Sequence, residues 1–333
     1  MGTKDTMTDM TETDIEIRPF RAEDRAAIVA IRNARKPAHL QETVAEWERE
    51  DALRSAAEVS LRLCIGEPVV AYLSATDQGT SPWRKPGVCW FGLWVARDHQ
   101  RRGIGGALFE KMLEFARQRG LNRAMTYLRL FEPDEPAVRF LEKHGFAEVD
   151  RDVPVMLDLT TFDPSAFVPP AFVPPTPEGI RLLSLAEAGD TEANRRKAWA
   201  LDGEIVRDIP THDVMPEHPP FEEWVKHFEG PEYDPRAVIL AEDSISGEWV
   251  GLSALAFQEA TNIAWTNITG VLPAYRGKGL ALALKLRTID AAIARGCPLI
   301  TTENHEDNTP MRAINRRLGF VPDAPGVSYA RDL

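Results

Sequence analysis

Cysteine is scarce in this chain: Cys64, Cys89 and Cys297 are odd in number, far apart and without Cys-x-x-Cys or Cys/His ligand spacing. That excludes a disulfide framework and leaves no zinc site or other metal centre to expect. The three read as small buried hydrophobes of a protein kept in a reducing compartment. Long apolar runs are missing too, since no stretch approaches the roughly 18 to 20 residues that a membrane-spanning helix needs. The segment from Met1 to Asp14 is polar and Thr-rich. It lacks the apolar centre of a signal peptide and reads as the loose tail of a cytoplasmic protein. Positive charge also falls short, with 39 Lys and Arg against 51 Asp and Glu and a net charge of −12. Such a chain repels nucleic-acid backbones and anionic membranes at long range, so neither is an expected partner.

Two short patterns are set aside. Met1-Gly2 followed by Thr6 fits the myristoylation pattern, but no polybasic second signal accompanies it. Asn267-Ile268-Thr269 fits a glycosylation acceptor, yet it lies inside an apolar, strand-like run.

What is present is a repeat. The 333 residues, 44% of them hydrophobic, suffice for two ordinary cores, and three landmarks recur. Arg18 and Arg181, each in a short strand-like run, stand 163 residues apart. Gly103 in VARDHQRRGIGG and Gly279 in VLPAYRGKGLAL are 176 apart, and Gly145-Phe146 and Gly319-Phe320 are 174 apart. These spacings predict a duplicated domain, with a first copy over 15–160 and a second over 179–333. The stretch 161–178 between them contains Ala-Phe-Val-Pro-Pro twice running. Proline fixes φ and removes amide donors, so this reads as a stiff, extended linker.

Each copy shows hairpin-forming strands, then a strand, a Gly-rich turn, a long helix, a strand and a shorter helix. In the first copy Ile104, Leu108, Met112 and Phe115 recur at helical spacing; in the second Leu282, Leu286, Ile289 and Ile293 do. The pattern predicts an α+β fold with a mixed α/β sheet in each domain, flanked by helices.

The turn between strand and helix carries the chemistry. It reads Gln100-Arg101-Arg102-Gly103-Ile104-Gly105-Gly106 after Val95, and Arg276-Gly277-Lys278-Gly279-Leu280-Ala281 after Val271-Leu272. A helix N-terminus presents unpaired amide N–H groups, and glycine lets a ligand approach the backbone. With Arg and Lys beside it, the turn suits a diphosphate. It is not a P-loop, because Gly279 rather than Ser or Thr follows Lys278. Nor is it a dinucleotide fingerprint, because Leu108 stands where the third glycine belongs.

Gln100-x-x-Gly103-x-Gly105 and Arg276-x-x-Gly279-x-Ala281, each followed by a late Gly-Phe element, resemble the acyl-CoA signature of the GNAT N-acetyltransferase superfamily, twice in one chain. The resemblance implies acetyl-CoA, or another acyl-CoA, as cofactor. It places Val95, Gln100 to Gly106, Val271, Leu272, Arg276 to Ala281 and Asn308 at cofactor sites, with the strands splaying at a bulge near Val95 and Val271. Direct transfer to an amine then needs a base, a stabilised carbonyl oxygen and a stabilised leaving thiolate. Where many family members carry a tyrosine acid, this chain has Leu141 and Asn315; where they favour a cofactor-contacting asparagine, it has Asp134 and Asn308. The second copy therefore keeps more polar equipment, and its run Thr302 to Asn308 offers Glu303 or His305 as base, beside Asn315. Asn267 and Thr269 on the preceding strand are further candidates for lining that cleft.

The expected partner is a small-molecule primary amine, and the expected assembly a monomer or homodimer. Most of the excess negative charge falls beyond Phe162, which favours a cationic amine such as an aminoglycoside, polyamine or amino sugar. A non-catalytic acyl-CoA-binding or regulatory module, and a peptide or protein N-acetyltransferase, are the competing readings.

Overall fold

The computed structural model describes residues 16–54, 58–77, 86–131, 136–163, 177–210 and 218–333. The tail, Asp134 and most of the Pro-rich stretch lie outside the described residues. Two compact units emerge. One comprises Met1–Tyr127, Ala137–Ala147 and Tyr329–Leu333; the other comprises Leu128–Pro136 and Glu148–Ser328.

The first sheet has the order β1 (Ile17–Pro19), β2 (Ser60–Ile65), β3 (Ala71–Thr76), β4 (Val88–Val95), β5 (Arg123–Arg129), β14 (Gly326–Asp332) and β6 (Ala147–Asp152). The second has the order β13 (Val321–Pro322), β7 (Val155–Asp158), β12 (Leu299–Thr302), β11 (Ile263–Val271), β10 (Trp249–Gln258), β9 (Val238–Asp243) and β8 (Ile180–Ser184). Helices accompany the strands, so each unit is α+β with a mixed sheet. β7 precedes the Pro-rich stretch yet completes the second sheet, and β14 at the chain end completes the first. The sequence pattern did not announce β14: Gly326 to Ala330 is buried throughout, so it lacks the in–out alternation that marks a half-exposed strand.

In the first unit α1 (Arg25–Asn33) and α2 (Val44–Ala52) precede the hairpin strands, α3 (Ile104–Gln118) follows the Gly-rich turn, and α4 (Pro136–Lys143) comes next. The second unit has α5 (Leu185–Ala188), α6 (Glu192–Val206), α7 (Phe221–Trp224), α8 (Leu280–Ala294) and α9 (Thr309–Arg317). Local chemistry starts several of them. Thr43 Oγ1 accepts from the Glu46 amide at 3.2 Å while the Glu46 carboxylate accepts from the Thr43 amide at 2.8 Å. Ser184 and Glu187 form the same reciprocal cap on α5.

Leu282, Ile289 and Ala292 of α8 pack with Leu255, Ala264, Ile300, Leu318 and Phe320. Ile293, expected on this stripe, is 40% exposed: the buried arc of α8 centres on Lys285, Ile289 and Ala292, and the stripe runs along its edge. The three cysteines are buried and unbridged, and burial pushes the Cys64 and Cys89 thiols up to about 12. On the other face of β11, α6 comes so near that a Cβ on Gly270 would lie 2.1 Å from Ile205 Cγ2. Gly270→Ala is therefore expected to destabilise this unit by about 1–3 kcal/mol, read as a lowered denaturant midpoint at unchanged slope; an unchanged midpoint contradicts this packing.

Candidate acyl-CoA site

Each sheet contains one place where neighbouring parallel strands separate early. β4 pairs with β5 only at Val88↔Arg123, Cys89↔Ala124 and Trp90↔Met125. β11 pairs with β12 only at Ala264↔Ile300 and Trp265↔Thr301. Beyond those rungs the strands fork, leaving Phe91 to Val95 and Thr266 to Val271 without a strand partner on that side among the described residues.

The forks differ in backbone. β3 and β4 keep one register from Ala71↔Val95 to Thr76↔Trp90. β10 and β11 shift between Ala254↔Ile268 and Leu255↔Thr266, so Asn267 is an extra residue in β11. That is a β-bulge, which leaves backbone groups outside the ladder. The splay expected in both copies is present in both; the bulge belongs to the second alone, and it sits at Asn267 rather than at the strand end.

The Gly-rich turn is built alike in the two units. Gly103 and Gly279 take φ of 81° and 79° just before α3 and α8, and the first helical residues, Ile104 and Leu280, are buried. The first motif position does something the sequence reading did not assign: Gln100 Nε2 donates to the Val95 carbonyl at 3.1 Å, and Arg276 Nε donates to the Val271 carbonyl at 2.8 Å. Gln and Arg interchange there because either spans the turn to the strand end. Arg276 also pairs with Asp208, so its charge is partly spent away from any ligand. Lys278 Nζ lies 3.5 Å from the Ala274 carbonyl and over the Tyr275 ring, while Tyr275 Oη donates to Asp243 at 2.7 Å. Leu272 closes β11 through its amide on the Val250 carbonyl at 2.9 Å. Val271 packs with Leu280 and Leu284, with Ala281 against them. In the first unit Gly106 faces open space, whereas a Cβ on Gly105 would meet the Phe140 ring at 3.5 Å.

Side chains separate the forks further. Aligning the repeat sets Phe91 against Thr266, Phe109 against Lys285, Leu141 against Asn315 and Phe146 against Phe320. In the first unit Phe91 and Phe109 lie 6.1 Å apart, Phe91 and Phe146 5.6 Å, and Phe109 and Phe140 5.6 Å, with His144 4.4 Å from Phe109. These rings pack together where β4 leaves β5, and Leu141 is buried. In the second unit three of the four matching positions are polar and buried, Thr266, Lys285 and Asn315, while Phe320 stays aromatic. Ser253 and Thr269 share a hydrogen bond of 2.8 Å on neighbouring strands.

The residues put forward as catalytic are brought together, with unequal freedom. Asn315 is 1% exposed; its Nδ2 donates to Asn304 Oδ1 at 2.6 Å, while its Oδ1 is buried without a partner. His305 is held at Nδ1, which accepts from the Asp307 amide at 3.0 Å, while its buried Nε2 lies 2.7 Å from Asp150 Oδ1 as a close polar contact rather than an aligned hydrogen bond. Because Nδ1 accepts, the ring proton belongs on Nε2. His305 thus straps the loop, and Asp150, which no motif marked, is its partner. Asn304 and Glu306 are held in turn by the Val153 amide and the Arg151 carbonyl, so the run 303–308 is pinned rather than a solvated loop. Glu303 follows β12 directly and is half-buried. Asn308 Oδ1 caps α9 on the Met311 amide at 3.3 Å, which leaves its Nδ2 for other work.

The acetyltransferase (GNAT) family model matches residues 25–146 and again 203–320. The chain belongs to that family, as a tandem member. A mycothiol acetyltransferase of Saccharomonospora viridis is 28% identical over 252 residues, covering 72% of this chain and 73% of that one. Among solved structures, a tandem GNAT protein from the clavulanic acid biosynthesis pathway superposes with a TM-score of 0.75 at 20% identity, covering 96% of this chain and 98% of that one. A GCN5-related N-acetyltransferase from Sphaerobacter thermophilus gives 0.72 at 19% identity, with 97% of each chain covered. Both structural likenesses speak for the GNAT fold.

One loop difference is directly measurable. Arg101 occupies the left-handed region with φ of 64°, where the second GNAT unit places Gly277 with φ of 75°. Space around Gly277 is open, so Gly277→Arg should cost only the backbone penalty, about 1 kcal/mol. Equilibrium unfolding checks it; a loss several times larger would show that the turn contacts something else.

Proposed function

We propose that this acetyltransferase-family chain transfers acetyl from acetyl-CoA to a primary amine of a small molecule by direct attack, with the second unit carrying the chemistry. The observation that carries this reading is the bulge at Asn267 beside a polar fork, set against an unbulged first fork filled by phenylalanines. The second site also suits an elongated polar ligand on its own terms: among the described residues, the buried Thr301 Oγ1 and Asn315 Oδ1 have no hydrogen-bond partner, at a cost that a ligand can relieve.

Acetyl-CoA supplies the activated acyl group. On this reading the amides of Gly277 to Ala281 and the N-terminus of α8 hold a diphosphate, and the unladdered backbone around Asn267 holds an amide-bearing arm. Glu303, half-buried at the strand end, takes the proton of the incoming amine directly or through water. His305 positions that loop through Asp150 and the Asp307 amide. Asn308 Nδ2 and Asn315 orient the donor. The first unit keeps the turn but not the cleft, and serves as a folded scaffold. The name of the Saccharomonospora viridis relative favours a small-molecule acceptor, and the net charge of −12 a cationic one over an acidic one.

The test compares two charge insertions. Free-thiol release from acetyl-CoA over a panel of amines should be lost in Gly279→Glu, by a factor of about 100 or more for an anion site turned anionic, and should stay within a few-fold of wild type in Gly103→Glu. Equal losses from two folded variants would overturn the assignment to one unit.

A further inference from the structure

Lys285 is the least expected residue of the second unit. It is 2% exposed and lies in the second turn of α8, between Leu282 and Ile289 on one helical face. Those two residues pack with Ala264, Ile300 and Phe320, and Ala264↔Ile300 is one of the last two rungs before β11 and β12 part. The Lys285 ammonium lies over the Phe320 ring, 5.1 Å from its centroid. Thr266 and Thr302, each two residues beyond that rung on the same face, are buried. In the first unit the matching pair, Phe91 and Phe109, has ring centroids 6.1 Å apart. A lysine thus stands where the plugged fork has a phenylalanine.

A buried ammonium is costly unless something compensates for it. Among the described residues no carboxylate is paired with Lys285. Burial alone brings it down to about 8, near the range of a thiol. It therefore holds a transferable proton on the helix face packed against the last rungs of the fork, whereas Asn315, standing where many family members carry a tyrosine acid, has none to give at neutral pH.

We propose that Lys285 is the acid of the reaction: its ammonium stabilises the departing sulfur of coenzyme A and gives it a proton. The inference rests on the second fork being the acyl-CoA site. In the balanced step, the amine nitrogen bonds to the acyl carbon and its proton goes to Glu303. The carbon–sulfur bond breaks with its electron pair on sulfur, and a proton passes from Lys285 Nζ to that sulfur. Solvent then returns the Glu303 proton and restores the ammonium. A carboxylate-bearing acyl group is the other anion such a lysine recognises, but Thr266 and Phe320 beside it offer a carboxylate no second charged donor.

The test uses free coenzyme A and the full-length protein, and needs no acceptor. Thiolate absorbance near 240 nm is followed against pH for coenzyme A free, bound to wild type and bound to Lys285→Met, with binding measured separately by calorimetry. At pH 8 the thiolate fraction should be higher bound than free, and the apparent thiol ionisation constant should fall roughly ten-fold in the variant, the effect of one nearby charge. Lys285→Arg should restore much of it. If wild type binds coenzyme A yet leaves its thiol titrating as in solution, or if Lys285→Met binds it with the titration unchanged, the proposal is overturned while the cofactor site stands. If wild type binds no coenzyme A, the underlying site assignment fails and this inference with it. A misfolded Lys285→Met, seen by circular dichroism, leaves the wild-type titration to decide.

Discussion

Parallel pairing between β11 and β12 lasts for two rungs, Ala264↔Ile300 and Trp265↔Thr301, and the candidate site depends on that early stop. Continued pairing would close the sheet and bury the backbone groups that a ligand needs. The separation is supported from three sides. Asn267 inserts a bulge into β11, which bends the strand. Arg276 ties the Val271 carbonyl to the turn. The strap of His305 on Asp150, with Asn304 on Asn315, holds the end of β12 where it diverges. The polar residues Thr266, Lys285 and Asn315 are buried beside it, a cost that a ligand in the fork can relieve.

The first unit shows what the same fold does without those devices. Its strands fork too, and its turn keeps the left-handed glycine even though Arg101 must adopt φ of 64° beside it. Yet Phe91, Phe109, Phe140 and Phe146 occupy the space, and no register shift interrupts β4. Aromatic burial of this kind stabilises a unit by several kcal/mol. Its fork is thus lined by aromatic side chains where the second has Thr266, Lys285 and Asn315.

Much of this was legible in the sequence. The repeat, the Gly/Arg turns and the α+β class follow from spacing and helix-terminus chemistry, and the unequal polar inventory of the two copies shows in Leu141 against Asn315. Three features were not legible, each for a physical reason. β14 is buried from Gly326 to Ala330 and carries no alternation there. The role of Gln100 and Arg276 as ties to a strand-end carbonyl needs the turn's geometry, since charge alone argues for a ligand contact. The sequence shows an imidazole at His305 but not that its Nδ1 accepts from the Asp307 amide and its Nε2 is packed against Asp150. Lys285 had a signal that went unread: set against Phe109 by the repeat, it is a cation at a core position, between Leu282 and Ile289.

The central claim is that the site lies in one fork of the two. A crystal structure of the complex with acetyl-CoA tests it most directly. The predicted result is density for the pantetheine arm along β11 beside Asn267, with the diphosphate over Gly277 to Ala281 and none along β4. Density along β4, or at both strands with equal occupancy, would contradict it.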